Sequence, residues 1–529
     1  MSKRKRAEDE EASVQANVNG TSSSSGKNKK ANTDAHPQDT HSDGFVIQIV
    51  TGSYEKILHG MTASIIIPQN QKEVEKSPVK FADTFLFSAH TAAIRCIALS
   101  PLPKNDMDGR SHKVVLASGG SDERINLYQL STKSSYSSAE SSLPVPSLTR
   151  RTLSRNPENR ELGSLLHHSS SVNALSFATR SKLLSAADDN TIGITRTRDW
   201  TVLSTIKAPN PKVHGRPSGD TAPLGGTPAG VNDFAVHPSM KLMLSVGRGE
   251  RCMRLWNLMT GKKAGVLDFG REILREVGEG KWGVGEGRKI EWNTGGTEFA
   301  IGFERGAVVF GTDCKPRARV LPTPRTKIHQ MRYLPLNEGE DEVLTDHGDA
   351  VEDILIVSTE DGRIVFFLPT PTPATPSAEG ESTSLPNCSM LAQLQSGDGS
   401  SSTSRIKDFE ALRSPHSTRD ILIVAGGSDG LVRIWRVDAR ELLDLSSLIS
   451  HKEEASSAST SEIIEPVRTS QKQIGSLLGT YETGNRITCL RAFVMSRGEE
   501  VANGSGRTET ADLNGVGDDI TSSSSSESE

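Results

Sequence analysis

Four polar residues near the start of the chain have the types used in nucleophilic catalysis. They are His90, Ser118, Asp122 and Tyr128, and a histidine between a hydroxyl and a carboxylate is the arrangement of a serine hydrolase. The same residues can instead form a buried structural relay, in which the His90 imidazole bonds both the Asp122 carboxylate and the Ser118 hydroxyl. The tyrosine would then meet the hydroxyl with its polar edge. A catalytic set occurs once in a chain, whereas a structural relay can recur.

The pattern does recur. In the second unit His168, Ser185, Asp189 and Thr195 take the four positions, and only the aromatic residue is missing. Later units keep part of it, as Ser245 and Trp256 in the third, Asp361 and Phe367 in the fifth, and Asp429 and Trp435 in the sixth. The third unit has Gly249 near the place of the turn carboxylate, and in a weak fourth unit Glu304 stands six residues before Phe310. The repetition favours a structural relay over an active site.

Each relay must be held by short strands. In the first unit three β-type runs, 94–99, 114–118 and 125–130, are separated by turn residues. Self-similarity near forty residues, once polar insertions are removed, is typical of a WD-repeat β-propeller. We therefore predict an all-β fold with long inter-strand insertions.

The two ends of the repeat region predict how the ring closes. Six units each supply an inner strand, and a seventh inner-strand pattern, 486–494, stands alone at the end. Three β-type runs at the start, FVIQIVT, EKILHGM and FADTFLF, supply the strands that it lacks. We predict seven blades, the last of them completed jointly by N-terminal and C-terminal strands.

Composition divides the chain into three parts. Residues 1–44 are predicted to form a disordered basic and polar tail, 45–495 the propeller, and 496–529 a disordered acidic, serine-rich tail. The basic cluster of Lys3, Arg4, Lys5 and Arg6 resembles a nuclear import signal. The net charge is −5, and 496–529 alone carries −6, so the remainder is almost neutral and does not favour wrapping of nucleic acid by charge alone.

Several classes of protein are disfavoured. No apolar run is long enough to span a membrane, the N-terminus is unlike a secretory signal, and the five cysteines form no Cys-x-x-Cys pair. No Walker lysine motif, G-x-S-x-G elbow or His-Glu-x-x-His motif occurs. We expect a soluble intracellular monomer that is not an enzyme and has no catalytic residue, cofactor, metal site, small-molecule substrate or membrane contact.

Two cationic segments are candidates for contact with RNA or a protein partner. One contains Arg150, Arg151 and Arg155, and the other contains Lys315, Arg317 and Arg319. Such runs are usually solvated surface, and the functional alternative is contact with RNA phosphates. Few aromatic residues lie among them, so stacking on single-stranded bases is not indicated.

Several of these runs also resemble a known family. They are GSYE from Gly52, AHTAAIRCIALS, LASGGSDERINLY, LGSLLHHSSSVNALSF and, above all, HPSMKLMLSVGRGERCMRLWNLMTGK. Over about residues 45–270 the chain resembles the PAK-interacting-protein family, which includes the maintenance-of-killer WD-repeat protein. The resemblance implies a scaffold in nucleus and nucleolus that joins large-subunit pre-ribosomal particles, with their assembly factors and pre-rRNA, and supports rRNA processing.

Two other roles stay open. In animal relatives the resemblance also implies binding and negative regulation of a p21-activated kinase, so a signalling adaptor is the alternative. A third class, a substrate receptor of a ubiquitin ligase, is disfavoured because Trp256 and Trp435 are not followed by Asp-x-Arg. The sequence does not identify which assembly factor or rRNA segment is contacted, or which propeller face binds.

Overall fold

The structure of the chain is a computed structural model. The residues that it describes are 44–66, 78–102, 113–133, 156–210, 229–279, 284–336, 353–371, 384–395, 404–417, 419–456 and 472–496. The predicted tails, the cluster Lys3–Arg6 and the segment with Arg150, Arg151 and Arg155 therefore lie outside the described residues, apart from the tails' end residues Gly44 and Ser496.

Short runs of β-branched and aliphatic residues, separated by turns, form strands along all of the described chain. The strands of its first half are β1 (Gly44–Ser53), β2 (Ile57–Ile66), β3 (Val79–Ser88), β4 (Ile94–Leu99), β5 (Lys113–Gly120), β6 (Ile125–Ser131), β7 (Arg160–Leu165), β8 (Val172–Thr179), β9 (Lys182–Ala187), β10 (Thr191–Arg196), β11 (Val202–Lys207), β12 (Val231–Val236), β13 (Leu242–Gly247), β14 (Cys252–Asn257) and β15 (Lys262–Asp268). The strands of its second half are β16 (Lys289–Trp292), β17 (Glu298–Gly302), β18 (Ala307–Gly311), β19 (Pro316–Val320), β20 (Ile328–Leu334), β21 (Ile354–Thr359), β22 (Ile364–Pro371), β23 (Cys388–Leu394), β24 (Ile406–Arg413), β25 (Asp420–Gly427), β26 (Leu431–Asp438), β27 (Ser476–Glu482) and β28 (Ile487–Val494).

These strands form seven antiparallel sheets of four, which are the blades of the predicted propeller. Blades 1 to 6 begin at β4, β8, β12, β16, β20 and β24, and each runs outward through its next three strands. The inner strands contact one another in sequence, and β28 contacts both β24 and β4, so the ring is closed. The predicted seven-bladed fold is confirmed.

The seventh blade joins the two ends of the described chain, as the sequence predicted. Its strand order is β28-β1-β2-β3, and β1 pairs with β28 from Ile47 opposite Val494 to Ser53 opposite Ile487. The Thr488 hydroxyl donates to the Ile94 carbonyl of blade 1 at 2.7 Å. Side chains also join blades 7 and 6. The Asp83 carboxylate of blade 7 accepts from Tyr481 of blade 6 at 2.5 Å and lies 2.6 Å from His59 Nε2.

The buried apolar side chains lie between the blades. Seven clusters of buried residues each join two neighbouring blades, which explains why both faces of most inner strands are apolar. The weak fourth unit forms a complete blade, in which stacked Phe299 and Phe310 (ring centroids 5.4 Å apart) lie in an apolar core instead of a polar relay.

Two helices lie between the strands. The helix α1 (Arg271–Glu276) stands between blades 3 and 4, and α2 (Ala439–Ser456) follows the third strand of blade 6. The fourth strand of blade 5, β23, follows β22 after a long connection in the sequence. Among the described residues, neither helix is long and apolar enough to cross a membrane.

Candidate functional site

The first blade brings together the residues that the sequence singled out. The His90 ring lies 2.9 Å from Asp122 Oδ1 through Nδ1 and 2.8 Å from Ser118 Oγ through Nε2. Asp122 also accepts from the Thr91 amide at 2.9 Å. Burial acts to raise the pKa of Asp122, but these hydrogen bonds outweigh it and the pKa is lowered. Ser118 is 0% exposed, so its hydroxyl cannot meet a substrate and the set braces the fold.

Tyr128 lies beside this relay on the third strand. Its ring packs against Phe87 of blade 7, with centroids 5.5 Å apart. Burial raises the pKa of Tyr128 to about 12. Asn126 adds a branch that the sequence did not reveal, because its amide donates to the Ala89 carbonyl at 2.6 Å.

The second blade has the same core with a different fourth member. His168 lies 3.1 Å from Asp189 Oδ2 and 2.8 Å from Ser185 Oγ. The ring of His167 lies 2.9 Å from the same Ser185 oxygen, beside the glycine of β10 that leaves it room. Thr195 does not join the relay, since its buried hydroxyl has no partner among the described residues. Burial lowers the pKa of His167 to about 4, so this ring is neutral at pH 7.

Arginine replaces histidine in the later blades. In blade 3 the turn carboxylate is Glu250, which pairs with Arg254 at 2.6 Å, so the assignment of that place to the neighbourhood of Gly249 was one residue off. Trp256 donates to Ser245 Oγ at 2.8 Å. In blade 5 Asp361 pairs with Arg363 at 2.8 Å, and its hydrogen-bond partners include Thr359.

Blade 6 retains only part of the relay. Asp429 pairs with Arg433 at 2.7 Å. The indole nitrogen of Trp435 has no partner within the described part of the chain, because Ala425 of β25 stands where blade 3 has Ser245. Its six-residue spacing from Asp429 therefore reflects the shape of the hairpin and not a hydrogen bond.

The second cationic segment comprises Lys315, just before β19, and two arginines on β19 at the outer edge of blade 4. Lys315 is exposed, and Arg317 is exposed with Glu298 at 3.8 Å. Arg319 is less accessible, because it pairs with Glu276 of α1 and donates to Asn387 at 2.6 Å. Two of the three predicted cations thus remain open for a partner, and the third carries out a structural role.

The sequence analysis missed a ring of residues on the inner strands. In six blades a β-bulge displaces the residue that follows the first buried residue of the inner strand. With Arg288 at the matching place of blade 4, these residues are Arg95, Asn173, Asn232, Arg288, His329, Lys407 and Thr488. The inner strands surround the central channel of the propeller, and these residues lie at the end of that channel nearest the relay turns. The sequence could have revealed them, because each one directly follows the first buried residue of its inner strand.

Deeper in the channel lie buried charges that the sequence also did not reveal. Asp408 accepts from Arg491 at 2.9 Å and from the Leu490 amide at 3.0 Å, which ties blade 6 to blade 7. Burial raises the pKa of Glu291 to about 7, against the attraction of Arg332. Among the described residues no cluster of histidine, cysteine, aspartate and glutamate is arranged to hold a metal ion.

Comparison with known proteins agrees with this architecture. The family described as WD domain, G-beta repeat matches residues 159–194, from the end of blade 1 through the third strand of blade 2. Protein MAK11 of Saccharomyces cerevisiae is 26% identical over 422 residues, which cover 74% of this chain and 78% of that protein.

Two kinase-related proteins match a shorter part. A p21-activated protein kinase-interacting protein 1-like protein of Danio rerio is 27% identical over 226 residues, or 43% of this chain and 44% of that protein. Shk1 kinase-binding protein 15 of Schizosaccharomyces pombe is 25% identical over 222 residues, or 42% and 46%. The chain thus spans less than half the length of these two relatives. With the propeller in place, the chain is a WD-repeat protein that is similar to Protein MAK11 and to p21-activated protein kinase-interacting proteins.

Proposed function

We propose that the chain is a non-enzymatic scaffold that acts in the nucleolus, in assembly of the large ribosomal subunit and processing of its pre-rRNA. The observation that carries the proposal is the family resemblance, which extends to a match with Protein MAK11 over 74% of the chain. The architecture supports it, because a closed ring with buried relays is a rigid frame whose rims present surfaces to partners.

The proposal assigns roles to three parts of the chain. The segments 1–44 and 496–529 are tails on either side of the propeller, and Lys3–Arg6 directs nuclear import. Lys315, just before β19, and Arg317 on β19, together with Arg150, Arg151 and Arg155, contact pre-rRNA phosphates or an assembly factor.

Sedimentation of a nuclear extract tests this function. The tagged chain is expected to sediment with precursors of the large subunit, and treatment with ribonuclease is expected to move it to lighter fractions. Recovery of the chain only in the free fractions would contradict the proposal. Replacing Lys3, Arg4, Lys5 and Arg6 with alanine is expected to lower its nuclear fraction without changing particle binding in the extract.

The β19 cations need a test that spares the fold. Lys315→Glu with Arg317→Glu is the informative pair, because Arg319 is engaged by Glu276 and its reversal would disturb α1. The pair is expected to reduce association with particles, whereas Lys182→Glu, at an exposed position on another blade, is not. Unchanged association of the double variant would remove this surface from the proposal.

A second function is favoured by the names of two relatives. A p21-activated protein kinase-interacting protein 1-like protein and Shk1 kinase-binding protein 15 both match this chain. In this alternative the propeller binds the regulatory region of a p21-activated kinase and lowers its activity. Binding of the purified chain to that region, with inhibition of the kinase, would support the alternative. Its absence, in a preparation that still joins pre-ribosomal particles, would leave the scaffold role alone.

A further inference from the structure

The ring of bulged residues at the channel mouth is not uniform. In three of the blades the displaced side chain donates a hydrogen bond to a backbone carbonyl at the next blade. Asn173 donates to the Val231 carbonyl at 2.9 Å, and Asn232 donates to the Gly287 carbonyl at the same distance. Thr488 makes the matching bond to blade 1. At these positions the bulged residue links neighbouring blades.

Blades 5 and 6 depart from this pattern. Their bulged residues are His329 and Lys407, and neither makes a hydrogen bond or ion pair among the described residues. His329 Nε2 is buried without a partner, and Lys407 is half-buried. A cation that is partly removed from water and unpaired is costly to a fold, so its presence calls for a ligand that supplies the missing charge.

The neighbours of these two residues are also basic. The positions that precede the first buried residue of each inner strand are Lys327 in blade 5, Arg405 in blade 6 and Arg486 in blade 7. With His329 and Lys407 they form what we call the basic sector. Burial lowers the pKa of Lys407, and the charges of Arg405 and Arg486 lower it further.

Acidic residues offset only part of this charge. Lys327 lies 2.8 Å from Glu304, and Arg405 lies 3.1 Å from Glu360. The Arg486 guanidinium makes no ion pair in the described part of the chain and lies 5.8 Å from the centre of the Tyr54 ring, while the Glu55 carboxylate accepts from the Arg486 backbone amide at 2.9 Å. Among the described residues, the Lys407 ammonium on the adjacent blade has no ion-pair partner.

We propose that the basic sector binds the carboxylates of an extended acidic peptide from a protein partner. The central cation sits on an innermost strand, where a narrow chain can reach it. The sector spans only blades 5 to 7, so it fits a short run of carboxylates better than a continuous phosphate backbone. Its one described aromatic neighbour, Tyr54, already lies beside Arg486, so the sector offers little for base stacking.

Fluorescence anisotropy with the purified full chain tests the site. The probe is a labelled peptide of alternating glutamate and glycine, and a labelled single-stranded RNA of equal length is the second arm. Lys407→Gln is expected to weaken peptide binding about tenfold or more, because it removes a poorly hydrated charge from the contact. Arg486→Gln is expected to weaken it as well, and Lys182→Gln, at an exposed position on blade 2, is expected to have no effect.

Four results would overturn the inference. They are absence of peptide binding by the wild-type chain, equal binding by wild type and Lys407→Gln, an equal loss with Lys182→Gln, and tighter binding of the RNA that is itself lost with Lys407→Gln. The folded state of each variant is checked by its melting temperature, and Arg486→Gln serves where Lys407→Gln does not fold. The test is independent of the proposed nucleolar role, because a chain that fails to join pre-ribosomal particles can still bind the peptide.

Discussion

Removal of the Asp122 carboxylate is the sharpest perturbation of the frame. In Asp122→Ala the His90 ring loses its 2.9 Å partner, and the Thr91 amide loses an acceptor at the same distance. Water can replace the acceptor for Thr91, which is exposed. It cannot do so for His90, whose side chain is 0% exposed. The cost is therefore set by one buried, charge-assisted hydrogen bond and amounts to about 2 to 3 kcal/mol of unfolding free energy.

Urea unfolding followed by tryptophan fluorescence measures this loss. Asp122→Asn keeps an acceptor but not the charge, so we expect about half of the effect. Asp199→Ala is the matched control, since this aspartate lies in an exposed turn and bonds only nearby residues, and we expect no measurable change in stability. A double variant with His90→Ala should cost less than the two single losses combined. The reasoning is refuted if Asp122→Ala unfolds like the control.

Three further predictions concern pH, thiols and closure. Burial raises the pKa of Glu291 to about 7, so between pH 4.5 and 7 the folded state holds a proton that the unfolded chain has lost, and stability falls as pH rises through this window. Glu291→Gln should then melt higher than wild type at pH 8 and equally at pH 4.5, and an equal melting temperature at both pH values would contradict this. Iodoacetamide at pH 8 should modify Cys314 before Cys96 in a mass-spectrometric time course. The reason is that Cys96 is buried and burial raises the pKa of its thiol to about 12. Equal rates of modification would contradict the burial of Cys96. Truncation after residue 480 removes β28 and its pairing with β1, so the chain should lose its cooperative melting transition, and a monomer that melts like the full chain would refute the closure.

Much of this frame could be predicted from the sequence, because repetition makes a weak local pattern strong. The blade count, the joint closure and the identity of the first relay all follow from the recurring strand and turn positions. The seventh blade was predictable because an inner strand without followers needs the three N-terminal runs.

Other contacts could not be predicted from the sequence, because the residues that make them are far apart in the chain. Asp83 and Tyr481 are 398 residues apart, and no local pattern indicates that they meet. Glu250 takes over the relay carboxylate one residue later than expected, with Arg254 in place of a histidine. The basic sector depends on a β-bulge, and an unpaired extra residue changes which side chains line the channel without changing the hydrophobic pattern.

Affinity purification of the tagged chain from growing cells, with identification of the co-purifying RNA and proteins, tests the central claim most directly. A scaffold of large-subunit assembly should bring down precursor rRNA of that subunit together with assembly factors, and ribonuclease should reduce the RNA-dependent part. Recovery of a p21-activated kinase without precursor rRNA would contradict the account and favour the signalling alternative.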